Sequence, residues 1–383
     1  MKMEKNLYLK KALSLLILLS WGLWSPAAEQ LYSPEWDYAL DLPEGYVLTA
    51  RDGSSRYNFE HQMFPVNLQI ALYELKQFPD GEKALSHVTD QLASTGPKVS
   101  FLWRNRQAAI SKIESASIGG WSVALELDGK KGWLVMACTT TPDKTVALEP
   151  LIISTLDTVY TDDGSWFETG PMTAFAWAPE QEKMIDINFA GKPHSVPLNN
   201  VDAAANQSVI DREFSLLTGY LETEYVFPAW KRYYRLIYRD AWTRIEKASF
   251  MLGSLVPPAP EKAAAELLAW TQGFTYERDR DGADFLNLPD AIVSRRGDCD
   301  SRALLLVLIL NQMGVDAVLL VSPEYSHALA AVDCPGEGAR YSVGEKKYLI
   351  ADTTAKVGLG KIAEDMSDSS KWFAVGFPAF PQP

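Results

Sequence analysis

The sequence predicts an α+β chain. It would have an N-terminal antiparallel sheet with covering helices, a strand and helical connector, and a C-terminal core where one buried helix precedes three strands. Three observations carry this. From about Trp36 to Tyr160, period-two alternation and helical spacing take turns. Asp211–Leu252 keeps a helical period and is rich in aromatics. Ala303–Leu310 is apolar on every side, as a helix buried all round must be. At 383 residues and 47% hydrophobic, the chain is globular in composition and long for one core.

Residues 1–27 read as a secretory signal. Lys2, Lys5, Lys10 and Lys11 form a basic start, Ala12–Trp24 an apolar run, and Ser25, Ala27 and Ala28 a small-residue cleavage region. The run falls short of the roughly 20 residues needed to span a bilayer, so the expectation is cleavage, a secreted or periplasmic protein, and no stable membrane insertion afterwards. The formal charge of -13 becomes about -16 once the signal's four lysines and one glutamate are removed. So acidic a chain is repelled by nucleic acid and by anionic membranes, and neither is expected as a partner.

Residues 30–165 read as an α/β module. Tyr38–Leu42 is a short strand, and Val66–Leu72 a half-buried one with Val66, Leu68, Ile70 and Leu72 on one face. Glu82–Leu92 has helical spacing and stops before Gly96. Trp121–Leu127 and Trp133–Thr139 flank Asp128-Gly129 as a hairpin, and Glu149–Val159 closes the module as a helix. In element order this part is similar to the PsbP-like fold, which implies a binding or docking module.

The connector, 166–256, opens with a half-buried strand at Met184–Phe189; Gly191-Lys192-Pro193-His194 reads as a turn, with His194 solvated. In the helical stretch after it, Tyr225, Trp230, Tyr233, Tyr234, Tyr238 and Trp242 read as core. Pro257, Pro258 and Pro260 break the chain before the C-terminal part, 257–383. There a helix (Glu261–Gly273), a charged loop (Glu277–Asp284) and a short helix (Pro289–Ser294) lead to Gly297-Asp298-Cys299-Asp300, which opens the apolar helix ended by Gly314. Strands are expected at Val315–Val321, His327–Val332 and Tyr348–Ala351.

Cys299 thus falls on the first turn of a buried helix, where free N–H groups and the helix dipole favour a thiolate. His327 starts one strand and Asp352 ends the next. Antiparallel pairing brings two such positions together, which is the order of a thiol triad: nucleophile, base and orienting acid. Asp298 suits the helix N-cap. Taken singly, each residue has an ordinary structural reading; their joint order is the signal. Of the three cysteines, Cys138 reads as core and Cys334 as a loop thiol that could pair with another. Four histidines, with no Cys-x-x-Cys and no His-Glu-x-x-His, leave no zinc motif.

The runs Arg296–Ala303, Gly314–Ala317, Ser326-His327-Ala328 and Ile350–Thr354 together resemble the transglutaminase-like core, a papain-type thiol-enzyme domain. The resemblance implies acyl transfer by Cys299, His327 and Asp352, without a cofactor or metal. It also implies a polar oxyanion donor upstream, for which Gln272 and then Tyr276 are the candidates. The short exported members imply a cysteine peptidase or amidase acting on a protein or peptide. A cross-linking transglutaminase and a non-catalytic interaction module are the alternatives.

Overall fold

The computed structural model describes residues 30–278 and 283–380; the signal reading of residues 1–27 and part of the charged loop lie outside them. The chain is mixed α+β. Strands β1 (Gln30–Ser33) and β2 (Tyr38–Asp41) lead into β3 (Tyr46–Asp52), β4 (Arg56–His61) and β5 (Asn67–Tyr73). After helix α1 (Gly81–Gln91) come β6 (Lys98–Trp103), β7 (Arg106–Glu114), β8 (Gly119–Glu126) and β9 (Trp133–Thr140), then α2 (Thr145–Asp157) and β10 (Val159–Tyr160). Strands β3 to β9 form one seven-stranded antiparallel sheet, ordered β3-β4-β5-β9-β8-β7-β6.

Both faces of this sheet are covered, which corrects the half-buried reading of Val66–Leu72. Leu68, Ile70 and Leu72 pack with Leu151, Ile152 and Leu156 of α2. The intervening Ala71 and Tyr73 pack with Ala84 and Leu85 of α1. Small and aromatic side chains on the second face carry no obvious polar-out signal, so alternation understated their burial. Asp80 caps α1, accepting from Lys83 N at 2.8 Å. Helix α2 starts four residues before the expected Glu149 and carries Pro150 within it. So near the helix start, the N–H that proline lacks forfeits a single intrahelical bond.

Short helix α3 (Pro171–Ala176) precedes the hairpin of β11 (Glu182–Phe189) and β12 (Lys192–Asn199). The turn is Ala190-Gly191, with positive φ at both, so Lys192–His194 is strand and not turn. His194 lies opposite Ile187, half-buried. Pro193 is tolerated because both strands of a two-stranded ribbon are edges. The predicted helical stretch is two helices, α4 (Asp202–Tyr220) and α5 (Val226–Leu255). On α5, Tyr233, Tyr234, Tyr238 and Trp242 are buried in the core, while Trp230, and Tyr225 just before the helix, pack half-buried against it.

A buried ionic network fixes α5 to the N-terminal sheet module. The Arg232 guanidinium meets Glu44 Oε2 at 3.2 Å and Glu213 Oε2 at 2.9 Å, and donates to Ser154 Oγ at 2.9 Å. Arg239 donates to the carbonyl oxygens of Asp157, Val159 and Glu168. Each charge is paired or hydrogen-bonded, as burial requires.

The C-terminal part contains α6 (Pro260–Gln272), β13 (Thr275–Tyr276), α7 (Leu288–Ser294), β14 (Arg296–Gly297) and α8 (Cys299–Gln312). Strands β15 (Ala317–Ser322), β16 (His327–Val332), β17 (Arg340–Val343), β18 (Lys346–Ala351) and β19 (Phe373–Val375) follow. They form an antiparallel sheet ordered β17-β18-β16-β15-β19. Helix α8 packs on β15 and β16 with Ala303–Leu310 fully buried, and one apolar cluster runs from Ile187 through Tyr238 to Leu304 and Leu349. Connector and C-terminal part therefore share a core. No described helix is long and apolar enough to cross a membrane.

Candidate active site

The site is built on the start of α8. Gly297 sits at φ 146°, and a Cβ there would meet the Ser301 side chain at 3.0 Å, so the turn into the helix admits only glycine comfortably. The next residue, Asp298, is the N-cap: its Oδ1 accepts from Ser301 N at 2.8 Å and from Ser301 Oγ at 2.6 Å. Four residues after the cap, the buried Arg302 donates to the carbonyls of Gly297 and Phe274 at 2.9 Å and of Thr353 at 3.4 Å. One guanidinium thus ties the Cys299 turn to the loop that follows Asp352.

Cys299 is only 4% exposed. The Ala328 N–H faces the sulfur, so the thiol stands one residue from His327 along the chain of β16. The thiol donates to Asp300 Oδ2 at 3.7 Å, and Asp300 Oδ1 accepts from the Tyr234 hydroxyl of α5 at 2.6 Å. Burial first, then the charges of Asp300 and Asp298, push the Cys299 thiol well above its ordinary range. The Ala328 N–H and the Arg278 guanidinium act in the opposite direction and are outweighed. This corrects the expectation of a thiolate at rest: desolvation and two carboxylates exceed what one helix terminus supplies.

The two aspartates answer to each other. Burial, then the neighbouring Asp300 charge, push the Asp298 carboxyl up to about 8, against the bonds from Ser301. Asp300 is raised too, by burial, with Tyr234 and Asp298 pulling it back. Asp298 Oδ2 is buried with no hydrogen-bond donor assigned to it. One carboxylate oxygen each of Asp298 and Asp300 and the Cys299 sulfur lie within 4.8 Å of one another. A proton held between the two carboxyls would halve the charge of the pair.

His327 and Asp352 come together from neighbouring strands. Strand β16 pairs with β18 through Ala330 and Ala351; one residue further, Asp352 falls opposite Leu329, and His327 is the next side chain on that face. The imidazole Nε2 lies 3.6 Å from Asp352 Oδ1, an ion-pair distance. Thr354 fills the gap: its hydroxyl donates to Asp352 Oδ1 at 2.8 Å and lies 3.5 Å from His327 Nε2. With its proton given to Asp352, that oxygen turns lone pairs to the ring, an arrangement that suits a hydrogen on Nε2. Burial alone would raise the Asp352 carboxyl. The facing His327 and the Thr354 N–H and hydroxyl outweigh burial and hold it below the usual carboxylate range. Trp372 closes one side of the imidazole, edge to face at 6.2 Å between ring centres.

The two oxyanion candidates part company. Gln272 Nε2 donates to Asp352 O and to Val357 O, both at 2.8 Å, so neither of its N–H groups is left for substrate. Tyr276 does lie against the thiol. Burial first, then the charge of the Cys299 sulfur, push its hydroxyl to about 12, and a hydrogen bond to that sulfur adds to the shift. Its ring rests on the Arg302 guanidinium at 5.3 Å. All three cysteines are unbridged and buried, so Cys334 forms no disulfide here. The sequence reading assigns Arg302, Thr354 and Tyr234 no role at the site, although the first two lie in the motif runs and Tyr234 reads as core. Arg302 alone left a trace, as a charge inside an apolar helix.

No family model matches the chain, and no curated protein matches it. Among solved structures, it is similar to cyanobacterial PsbP from Synechocystis (10% identity, 37% of this chain and 96% of that one, TM-score 0.29). It is similar also to the Ran-binding protein Mog1p of Saccharomyces cerevisiae (10% identity, 35% of this chain and 94% of that one, TM-score 0.27). A protein from Bacteroides thetaiotaomicron matches 81% of this chain and 88% of its own at 9% identity and TM-score 0.20. Likeness at these scores carries no argument about what the chain does.

Proposed function

We propose that the chain is an exported thiol-dependent acyl-transfer enzyme, a cysteine peptidase or amidase built on a transglutaminase-like core. The observation that carries this reading is the His327–Asp352 pair, 3.6 Å apart, with its imidazole on the residue next to the N–H that faces Cys299 Sγ. Cys299 attacks an amide carbonyl as His327 Nδ1 takes the thiol proton. The Cys299 N–H, free at the helix start, and the Tyr276 hydroxyl are the donors nearest the developing oxyanion. His327 then gives the proton to the departing amine, the C–N bond breaks, and a thioester remains for water to cleave. Asp352 and Thr354 keep Nε2 protonated throughout.

A protonated resting thiol is compatible with this route, because the base removes the proton during attack. One observation favours the rival, a non-catalytic interaction protein: the thiol is nearly enclosed and faces two carboxyl groups. Incubation with peptide amides, with products read by mass spectrometry for wild type and Cys299→Ala, separates the two. Cleavage that depends on Cys299 supports the enzyme. Intact peptides across a broad set favour the interaction protein.

A further inference from the structure

A groove of about 420 Å³ opens directly beside the His327–Asp352 pair. Both side chains are among its lining residues. Its walls are apolar, with Tyr325, Val357, Ile362 and Met366 along them, and Lys361 stands among the lining residues. Lys361 is exposed and forms no ion pair with any described residue. Among the described residues Asp352 is the single anion lining the groove, and its Oδ1 already accepts from Thr354 N, Thr354 Oγ1 and Ala355 N. Glu364 and Asp365, just beyond Lys361 in the chain, do not line it. Cys299 does not line it either.

The side on which the groove lies identifies what it holds. In acyl transfer the base returns its proton to the leaving amine, so the leaving group must sit next to the imidazole and the acyl part next to the sulfur. We propose, resting on the thiol-enzyme reading, that this groove takes the leaving-group side of the substrate. The leaving group is an apolar residue that carries the chain-terminal carboxylate, and Lys361 reads that carboxylate. The reaction is then removal of a C-terminal apolar residue. The S–C bond forms and the C–N bond breaks, and the proton held by His327 goes to the nitrogen. The free amino acid departs with its carboxylate, and water then breaks the thioester.

Binding to the Cys299→Ala protein tests this without turnover. The probes are N-acetyl-alanyl-leucine and its C-terminal amide, titrated by calorimetry. The free acid is expected to bind about three- to fivefold tighter than the amide, the margin of one partly exposed ion pair, and Lys361→Glu removes that margin. Equal affinity for the two probes, a margin that survives Lys361→Glu, or no binding of either overturns the proposal. A third probe, amide-capped with glutamate in place of leucine, separates the sources of charge. If it binds as well as the free acid, a side-chain carboxylate suffices and the chain-end claim fails. Failure of the enzyme reading shows elsewhere: wild-type protein then forms no thioester at Cys299 with any acyl donor, whatever the binding margin.

Discussion

His327 Nε2 stands 3.6 Å from Asp352 Oδ1, and the Thr354 hydroxyl bonds the carboxylate from between them. In the proposed mechanism that arrangement sets the ring's tautomer, with hydrogen on Nε2 and Nδ1 as the base. Asp352→Ala removes the lock, and kcat is expected to fall about 100-fold or more, with KM changed far less. Thr354→Val, which keeps the shape and loses the hydroxyl, should cost about tenfold. Steady-state kinetics on a cleaved peptide amide read both, and circular dichroism checks that each variant is folded.

Asp300 opposes ionisation of the thiol it touches. Replacing it with asparagine keeps an acceptor for Tyr234 and removes the charge. The Cys299 pKa should then fall, and at fixed mildly alkaline pH its alkylation by iodoacetamide should speed up about tenfold per unit of fall. Cys138 serves as internal control, since burial holds its thiol up at about 12 and no change reaches it. An unchanged Cys299 rate in Asp300→Asn contradicts this electrostatic account.

Stability should decline as pH rises toward neutrality and beyond. The Asp298 carboxyl is raised to about 8 in the folded chain, so between its unfolded value near 4 and that value the folded state holds a proton that the unfolded state has released. More protons on the folded side make stability fall with increasing pH through this window, and level off above it. Asp298→Asn keeps a cap oxygen for Ser301 and removes the titration. The unfolding free energy of wild type, read from urea unfolding, should drop from pH 5 to pH 8 by more than that of the variant, a difference on the order of a few kcal/mol. Parallel curves for the two proteins contradict the assignment.

Arg232→Met leaves Glu44 and Glu213 buried without their cation. Breaking such a cluster is expected to cost about 3–5 kcal/mol, read from urea unfolding, because the orphaned carboxylates must protonate or stay unpaired. A loss below about 1 kcal/mol would place the network at the surface in energetic terms.

The outline of the fold was legible where periodicity is strong. Helix α8 is apolar on all sides over Ala303–Leu310, His327–Val332 is a near-continuous apolar run within a buried sheet, and Asp298 stands where a cap belongs. Strands β3, β4, β6 and β7 were not, because they mix polar and apolar residues at the sheet's flanks, as in Lys98–Trp103, where most side chains remain exposed or half-buried. Pro193 hid β12 and Pro150 hid the first turn of α2, since a proline reads as a breaker until its place at an edge or a helix start is known. At the site, the chain order of Cys299, His327 and Asp352 could be read along the sequence. The partners that tune them could not. Tyr234 reaches Asp300 from a helix 66 residues away in sequence, and Arg302 joins three carbonyls that only the folded chain brings near it.

The most direct test of the triad is acylation of Cys299 by an activated ester, followed by intact-protein and peptide mass spectrometry in wild type and His327→Ala. The account predicts a thioester on Cys299 alone, formed at least about 100-fold more slowly without the imidazole. A Cys299 that stays unmodified, or acylates equally fast in His327→Ala, contradicts it.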